Sequence, residues 1–289
     1  MGASPIAYSR AIFGWFDALR GRATGVMLAG AAVCAIVVPP VAQMLIRAAG
    51  WRIAWLVLGM ITLTAALPVA MRFIRDRSPA RSSDGAAAGV SVRDALRSRV
   101  FRTVLLVVFS ATLASNGAIV HIVALLADRG VPLNRAALAL SAIGAASLVG
   151  RLFTGWLLDR VAPARVSVLM LTIGAAGAFL LAAAHSLPAG VAAALCIGFG
   201  SGGELDVIPY LLSRAFGLRS LSTLYGFNWT AWGWPGRPVR SSSAAHSTRR
   251  VRYTTALLVL GCITLAAAGL MMTLPALMER ESSVSPALG

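Results

Sequence analysis

Seven long apolar stretches constrain the fold of this chain more than any other feature of its sequence. Each holds about 20 or more largely apolar residues, the length that an α-helix needs to cross the hydrocarbon core of a bilayer. The stretches are 23–46, 52–71, 103–127, 136–158, 165–184, 188–212 and 253–277. Two weaker pieces, 1–16 and 219–236, flank or follow them. The pattern predicts an all-α polytopic membrane protein with about seven or eight transmembrane helices.

Composition agrees with a bilayer as the surrounding medium. The 289 residues are 58% hydrophobic and 12% charged, which is more apolar than a soluble domain of this size. A net charge of +16 suits a nucleic-acid-binding protein only when the basic residues share a soluble face. Here the arginines fall between apolar runs, so we expect membrane lipid around the chain and no nucleic-acid partner.

The connections between the apolar stretches predict orientation and domain organisation. Positively charged loops stay cytoplasmic, and 72–102 carries eight arginines. This bias predicts a bacterial-type inner (plasma) membrane location with 72–102 inside. Within that loop, 78–92 is rich in Ser, Ala and Gly and has no apolar period, which is typical of a flexible linker. We predict one helical bundle over 1–77, a cytoplasmic linker over 78–100 and a second bundle over 101–289.

No pattern in the sequence indicates catalysis. It has no nucleophile beside a base and no phosphate-binding loop, and His121, His185 and His246 lack metal-ligand spacing. We therefore expect no enzymatic activity, no cofactor and no metal. Residues 198–203 match GxGxxG, but they lie in mid-span rather than at a strand-to-helix turn. Gly198 and Gly202 are instead predicted to form a GxxxG helix-packing face.

Two carboxylates lie in one apolar stretch. Glu204 and Asp206 fall within 188–212, and a carboxylate in hydrocarbon costs a few kcal/mol, so burial in protein or a water-filled cavity is required. Either residue is a candidate for carrying a proton or ion; the alternative is that both lie near the cytoplasmic end and serve packing. Being two residues apart, they are predicted to face different directions.

Three further polar residues lie inside apolar stretches. Arg151 is about 12 Å along a helix axis from Asp159, too deep to reach that boundary easily. It needs an anionic partner, either a substrate carboxylate held by two parallel hydrogen bonds or a buried acidic side chain. We slightly prefer the substrate. His121 and Asn116 lie five residues apart in 103–127, and such a histidine is as often a packed hydrogen-bonding group as a proton carrier.

A short loop between two stretches carries a family resemblance. Gly155, Asp159, Arg160 and Arg165 resemble the loop signature of the major facilitator superfamily, from which the sequence departs at 162 and 164, both alanine. Further blocks resemble the monocarboxylate and oxalate/formate branch of that family. They are Trp15-Phe16, Arg20-Gly21, Gly50-Trp51-Arg52, His121, Gly150-Arg151, Gly203-Glu204 with Asp206, and 216–219.

The resemblance implies two helical bundles around a substrate site at the membrane midplane. In family order the chain starts at the end of helix four, which makes 1–77 a remnant of the N-terminal bundle. The implied function is secondary transport of small organic anions of the monocarboxylate or dicarboxylate type, proton-linked or by antiport. The alternative is a non-transporting truncated remnant or a membrane interaction partner.

The resemblance also implies residue roles. Arg151 would bind a substrate carboxylate, and His121 would line the central cavity. We predict that Asn116, five residues from His121, also contributes to substrate binding. Glu204 and Asp206 would be the proton-coupling groups. Gly155, Asp159, Arg160 and Arg165 would form the gating loop.

One segment departs from the family pattern. Where helix eleven is expected, 234–252 is rich in Pro, Ser and Arg and is too polar to span. Codon degeneracy lets 244–253 be read after a one-nucleotide shift as GRAFDATGSY, which is similar to the family's ending of that helix, so we interpret the segment as a compensated frameshift. We then expect 237–252 to stay cytoplasmic with Arg214 and Arg219. The last helix, 253–277, would enter the membrane inverted, with 282–289 outside.

Overall fold

The computed structural model describes residues 16, 19–73, 90–217, 219–233 and 246–284. Within these ranges the chain is built from α-helices, as predicted for an all-α protein. The helices are α1 (Arg20–Ile61), α2 (Leu67–Phe73), α3 (Val92–Arg97), α4 (Arg99–Asp128), α5 (Leu133–Leu158), α6 (Pro163–Ala183), α7 (Leu187–Phe216), α8 (Leu221–Gly233), α9 (His246–Met272) and α10 (Leu274–Val284).

Within the described ranges, seven helical segments are long and apolar enough to cross a membrane, which confirms the seven predicted spans. They are Arg20–Val38, Met44–Thr64, Arg99–Asp128, Leu138–Leu158, Pro163–Ala183, Leu187–Phe216 and Tyr253–Met272. The first lies in α1, and the second begins in α1 and ends in the π-helical turn Thr62–Ala66. Helix α1 is interrupted at Gly50, where φ is 82°. Glycine occupies this left-handed region without the steric cost that other residues meet. The break falls between the two stretches that the sequence separated.

Prolines inside the apolar stretches do not end the helices. Pro209 lies within α7. Pro68 follows a π-helical turn, Thr62–Ala66, which joins α1 to α2. Proline has no N–H and its ring clashes with the carbonyl four residues earlier, so a widened turn accommodates it. Both prolines therefore lie within helical structure rather than at loop boundaries.

The helical bundle has an end where α4 begins, the Arg99 end, and an end where α4 finishes, the Asp128 end. One apolar cluster at the Arg99 end includes Phe101, Phe216, Leu224 and Met271. The other, at the Asp128 end, includes Ile122, Leu126, Leu181 and Leu257. Helix α7 packs against both α5 and α6, and α1 packs against α5. This places α7 among the other helices of the bundle.

Small residues let α5 and α7 approach closely. A Cβ added at Gly198 would meet the Ile143 backbone on α5, with Cα at 2.8 Å, and one at Gly202 would meet Ser147 Cα at 2.9 Å. On the facing helix, a Cβ at Gly150 would meet Phe199 Cα at 3.1 Å. No side chain fits at these positions without moving the backbone. The predicted GxxxG packing face is therefore confirmed.

The last apolar helix runs in the direction opposite to our expectation. Tyr253, at its start, packs against the cluster at the Asp128 end, whereas Met271 and Leu274 belong to the cluster at the Arg99 end. Since 72–102 leads into the Arg99 end, the expected inversion with 253 on that same side is wrong. Packing of the two ends of α9 along α4 decides the direction, and the charge of the preceding segment does not. Residues 234–245 lie outside the described ranges.

Three boundaries also differ from the sequence interpretation. Helix α9 begins at His246 rather than 253, and a separate helix, Leu274–Val284, follows Met272. The weak piece 219–236 contains α8, whose 13 residues span about 20 Å, less than a bilayer core of about 30 Å. In the predicted linker 78–100, residues 78–89 lie outside the description, and the rest includes α3, capped by the Ser91 hydroxyl. The division into two bundles stays a prediction.

Candidate functional site

The centre of the candidate site is an ion pair between α5 and α7. Arg151 Nη1 donates to Asp206 Oδ1 at 3.1 Å. The Asp206 side chain is fully buried and that of Arg151 is 12% exposed. The sequence required an anionic partner for Arg151 and left open whether it is a substrate or an acidic side chain. In this structure the acidic side chain occupies that position.

The close approach of α5 and α7 is what makes the pair possible. Gly150 precedes Arg151, and Gly202 lies one helical turn before Asp206, so backbones approach at the same level as the charges. A guanidinium on α5 then reaches a short aspartate side chain on α7. The packing face and the polar site are thus one local arrangement.

The ion pair uses only part of the hydrogen-bonding capacity of its two members. Arg151 Nε and Asp206 Oδ2 are buried and have no hydrogen-bond partner among the residues that the structure describes. A guanidinium offers five N–H donors in a rigid fork, and a carboxylate accepts at both oxygens. A single contact therefore leaves Arg151 with donors for a second carboxylate.

Helix α8 adds polar groups that the sequence interpretation did not select. The Tyr225 phenol is buried and lies within electrostatic range of both Arg151 and Asp206. Asn228 is buried one turn later, and its amide donates to Leu224 O at 3.0 Å. Residues three apart lie on the same face of a helix, so the spacing of Tyr225 and Asn228 could have indicated a polar face on this segment. It was missed because 219–236 did not qualify as a certain span.

Glu204 faces other neighbours than Asp206, as the two-residue spacing predicted. The Thr112 hydroxyl of α4 lies beside its carboxyl group. However, Glu204 Oε1 is buried and has no hydrogen-bond partner of good geometry within the described part of the chain. The Glu204 side chain lines a cavity shared by α4, α6, α7 and α9. Two separate polar environments therefore lie on α7.

The other predicted substrate residues lie on α4. His121 is exposed, and its ring centroid is 5.2 Å from that of Tyr253. Asn116 is half-buried. Across the described ranges no hydrogen bond or ion pair joins either residue to Arg151, and no group of three or more His, Cys, Asp or Glu residues is placed to hold a metal ion. Their role in substrate binding stays a prediction.

The predicted gating loop contacts the start of α1. Asp159 accepts hydrogen bonds from the backbone N–H groups of Gly21, at 2.8 Å, and Arg22, at 3.2 Å. The Arg22 Nε atom is 3.6 Å from Asp159 Oδ2. The first N–H groups of a helix have no partner within it and carry positive partial charge, so a carboxylate here satisfies both. Asp159 thus acts as an N-terminal cap supplied by another helix.

The remaining loop residues divide by their contacts. Gly155 allows the close approach, because a Cβ there would meet Gly21 O at 2.6 Å. Arg160 lies over the Trp156 ring, 4.1 Å from its centroid, and donates to Trp156 O. Arg165 is exposed. Gly155 and Asp159 therefore join α5 to α1, and Arg160 makes local contacts.

Seven membrane-length helices and a buried ion pair between two of them define a polytopic α-helical membrane protein. The family model of the Major Facilitator Superfamily matches residues 1–237, so the chain belongs to that superfamily. The match ends at residue 237, within the Pro-, Ser- and Arg-rich segment 234–252.

Individual relatives agree with this assignment. The chain is 26% identical to MFS-type transporter 1 of Ophiocordyceps sp. (strain BCC 1869), over 92% of this chain and 60% of that protein. It is 29% identical to monocarboxylate transporter 13 of Bos taurus, over 90% of this chain and 61% of that protein. An uncharacterized MFS-type transporter of Escherichia coli (strain K12) is 38% identical over 34% of this chain and 25% of its own length. The chain thus spans about three fifths of the two relatives that it matches most fully.

Proposed function

We propose that this protein is a secondary transporter of small organic anions in which Arg151 binds the substrate carboxylate. The observation that carries the proposal is the Arg151–Asp206 pair, which is buried and joined by a single contact. The relative named as a monocarboxylate transporter supports the substrate class. The bacterial-type inner membrane is the proposed location, from the arginine-rich 72–102 loop.

The unsatisfied atoms of the pair suggest how substrate and proton are linked. A carboxylate substrate that takes two Arg151 donors competes directly with Asp206. If Asp206 loses its cation while still ionised, an unpaired charge remains buried, which costs several kcal/mol. Protonation of Asp206 removes that charge. Binding of one anion is therefore coupled to uptake of one proton at Asp206, which describes anion–proton symport.

The Asp159 contact is the proposed gate. It joins the end of α5, the helix that carries Arg151, to the first turn of α1. The hydrogen bonds come from backbone N–H groups at the start of α1. Family transporters open a midplane site alternately to either side by moving one bundle against the other. A contact made of a few exposed or half-buried polar groups at the bundle edge is suited to repeated breaking and reforming.

Uptake into proteoliposomes tests the substrate role of Arg151. Labelled small monocarboxylates and oxalate are offered to vesicles that contain the protein, its Arg151→Ala variant or no protein. We expect uptake by the protein and about a hundredfold loss in the variant, since a charge-assisted contact worth about 3 kcal/mol is removed. Arg102→Ala, at an exposed arginine that donates to Ser98 O, is the matched control. Equal uptake by Arg151→Ala and Arg102→Ala contradicts the proposal.

The role of Asp206 is tested by the pH dependence of uptake. Lowering the external pH supplies the proton that Asp206 must take, so uptake by the unaltered protein should rise as external pH falls. Asp206→Asn is permanently neutral, and we expect it to exchange substrate across the membrane without response to a pH gradient. Counterflow and gradient-driven uptake are measured on the same vesicles. A pH-driven accumulation that persists in Asp206→Asn excludes this residue as the coupling group.

A second candidate function is a membrane interaction partner that does not transport. The observation that favours it is the second half of α1, where Trp51, Trp55 and Leu56 are 57%, 72% and 68% exposed. Well-folded protein that shows no uptake of any tested anion supports this alternative.

A further inference from the structure

A group of exposed arginines lies at the Arg99 end of the bundle. Its members come from two regions that are far apart in the chain. One region is the short helix α3, which directly precedes α4, and the other is the end of α7 with the loop that follows it. We call this group the basic patch and define it by four residues, Arg93, Arg97, Arg214 and Arg219.

Two hydrogen bonds hold these two regions together. The Val90 N–H donates to the carbonyl oxygen of the last residue of α7 at 3.2 Å, and the Ser220 hydroxyl donates to Val90 O at 2.5 Å. Arg219 immediately precedes Ser220. Arg93 follows Val90 by only three residues, so it lies on the same surface as Arg219. Arg97 is four residues after Arg93 and therefore lies on the same face of α3.

The positive charge of the basic patch is not compensated by the protein. Within the described ranges, none of its four guanidinium groups forms an ion pair. Asp94, the acidic residue of α3, accepts instead from the Ser91 hydroxyl at 2.5 Å. Arg214 lies over the Tyr210 ring, 5.5 Å from its centroid, and this contact orients the guanidinium without neutralising it. Four like charges on one surface attract an anion.

The position of the basic patch indicates which anion it meets. It lies beside the start of α4 and the end of α7, two helices that are long and apolar enough to cross a membrane, so it lies near the level of the lipid headgroups. Arg219 precedes α8, where Thr223 and Phe227 follow at four-residue spacing and are exposed. The Phe227 side chain is 45% exposed. A cation followed by an exposed apolar side chain matches the order of headgroup and acyl chain in a lipid.

We propose that the basic patch binds the phosphate group of an anionic phospholipid in the adjoining leaflet, with an acyl chain along the Phe227 face of α8. A guanidinium binds a phosphate through two parallel hydrogen bonds. Several guanidinium groups on one surface favour a headgroup with net negative charge over a zwitterionic one. The bound lipid would stabilise the contact between α3 and the loop after α7. This site is separate from the Arg151–Asp206 pair, and the proposal does not rest on the transport function.

Lipid-dependent thermal unfolding tests the basic patch. The full chain in detergent is heated with phosphatidylglycerol or with phosphatidylcholine of the same acyl chains, at equal ionic strength, and tryptophan fluorescence reports unfolding. A ligand that binds only the folded state raises Tm with concentration. We expect phosphatidylglycerol to raise Tm more than phosphatidylcholine does. In the double variant Arg93→Gln/Arg219→Gln the apparent affinity for phosphatidylglycerol should fall about 25-fold, since each arginine near a membrane surface contributes about fivefold.

The double variant Arg47→Gln/Arg52→Gln is the matched control. Both arginines are exposed and lie on either side of Gly50. Helix α1 begins at the Arg99 end and runs for about 30 residues, or about 45 Å, before Gly50, so this pair lies at the opposite end of the bundle. The control has the same net charge as the test variant and should keep the full phosphatidylglycerol effect. An equal loss of affinity in both double variants would reflect net charge alone and overturns the proposal.

Two further comparisons separate lipid binding from other causes. Arg93→Lys/Arg219→Lys keeps the charge of the patch and should retain most of the phosphatidylglycerol effect, whereas a defect in folding lowers Tm equally in both lipids. Inorganic phosphate and glycerol phosphate should not reproduce the effect. If either does so, the patch binds a free phosphate rather than a lipid, and the proposal is wrong. Equal Tm of the unaltered protein in the two lipids also overturns it. Arg151→Ala should retain the lipid response, so failure of transport and failure of this site are separate results.

Discussion

Glu204 and Asp206 are two buried carboxylates on one helix, but they have different surroundings. Asp206 meets a guanidinium from α5 at 3.1 Å. Glu204 meets the Thr112 hydroxyl and a cavity lined by serine and threonine. Side chains two positions apart on a helix point in different directions, so Asp206 and Glu204 reach different neighbours from α7. The same chemical group therefore lies beside a protein cation in one case and among neutral side chains in the other.

The difference teaches where charge can change during function. In the proposed transport function, Asp206 shares its cation with the entering carboxylate, so its charge is linked to the substrate. Glu204 has no cationic side chain among the described residues that line its cavity, so no ion pair fixes its charge. Substitutions at the two positions should consequently differ in both size and kind of effect.

The largest expected effect comes from breaking the Arg151–Asp206 pair. Removal of one member of a buried pair leaves an uncompensated charge and costs about 3–5 kcal/mol. We expect Arg151→Ala and Asp206→Ala each to lower the unfolding midpoint strongly. The double variant should be less destabilised than the sum of the two, since no lone charge remains. A double-mutant cycle from chemical or thermal unfolding in detergent measures this coupling.

Glu204→Gln is the comparison variant for that cycle. It removes a buried carboxyl group without leaving a cation unpaired, so a much smaller loss of stability is expected. If the single variants at 151 and 206 prove additive, the two side chains do not interact in solution, and the contrast between Asp206 and Glu204 disappears.

The next effect concerns the helix packing that aligns the pair. Gly202→Ala would bring a Cβ to 2.9 Å from Ser147 Cα, and the backbone must shift to admit it. Overpacking of this kind costs about 1–3 kcal/mol and should separate Arg151 from Asp206. Stability against unfolding and anion uptake should both be reduced.

Gly144→Ala on α5 is the control for this substitution. A Cβ at Gly144 meets open space, and alanine has a helix propensity about 1 kcal/mol better than glycine. We expect unchanged or slightly raised stability. Similar losses in both variants would indicate that the α5–α7 packing face does not control the ion pair.

The spans could be predicted from the sequence because a bilayer imposes a length and an apolar content on any helix that crosses it. The requirement of Arg151 for an anion followed from the same physics. The identity of that anion did not, because the choice of Asp206 over Glu204 depends on which face of α7 packs against α5. The four-residue spacing of Gly198 and Gly202 partly indicated which face of α7 packs against α5.

Features that depend on tertiary packing were harder to predict. Tyr225 joins the site only because α8 packs beside α4 and α7. On α4, the buried positions Ala111, Ala114, Ala118 and Ile122 leave His121 exposed, which a helical projection of the sequence allows but does not require. The direction of α9 was wrong because loop charge was given more weight than packing along α4.

A third carboxylate, Asp159, extends the comparison to the edge of the bundle, and its substitution should have the smallest effect. Its neighbours are two backbone N–H groups and the Arg22 side chain, which is 44% exposed. Loss of a cap and of its interaction with the helix dipole costs about 1 kcal/mol. Asp159→Asn keeps one acceptor oxygen, so the unfolding midpoint should fall only slightly, while exchange rates change because the gate is weaker. The exposed Asp94, whose carboxyl group accepts from Ser91 Oγ at 2.5 Å within a short helix, provides the control Asp94→Asn. A loss of stability in Asp159→Asn as large as in Asp206→Ala would mean that the α1–α5 contact is a permanent part of the fold, and the gate would have to be elsewhere.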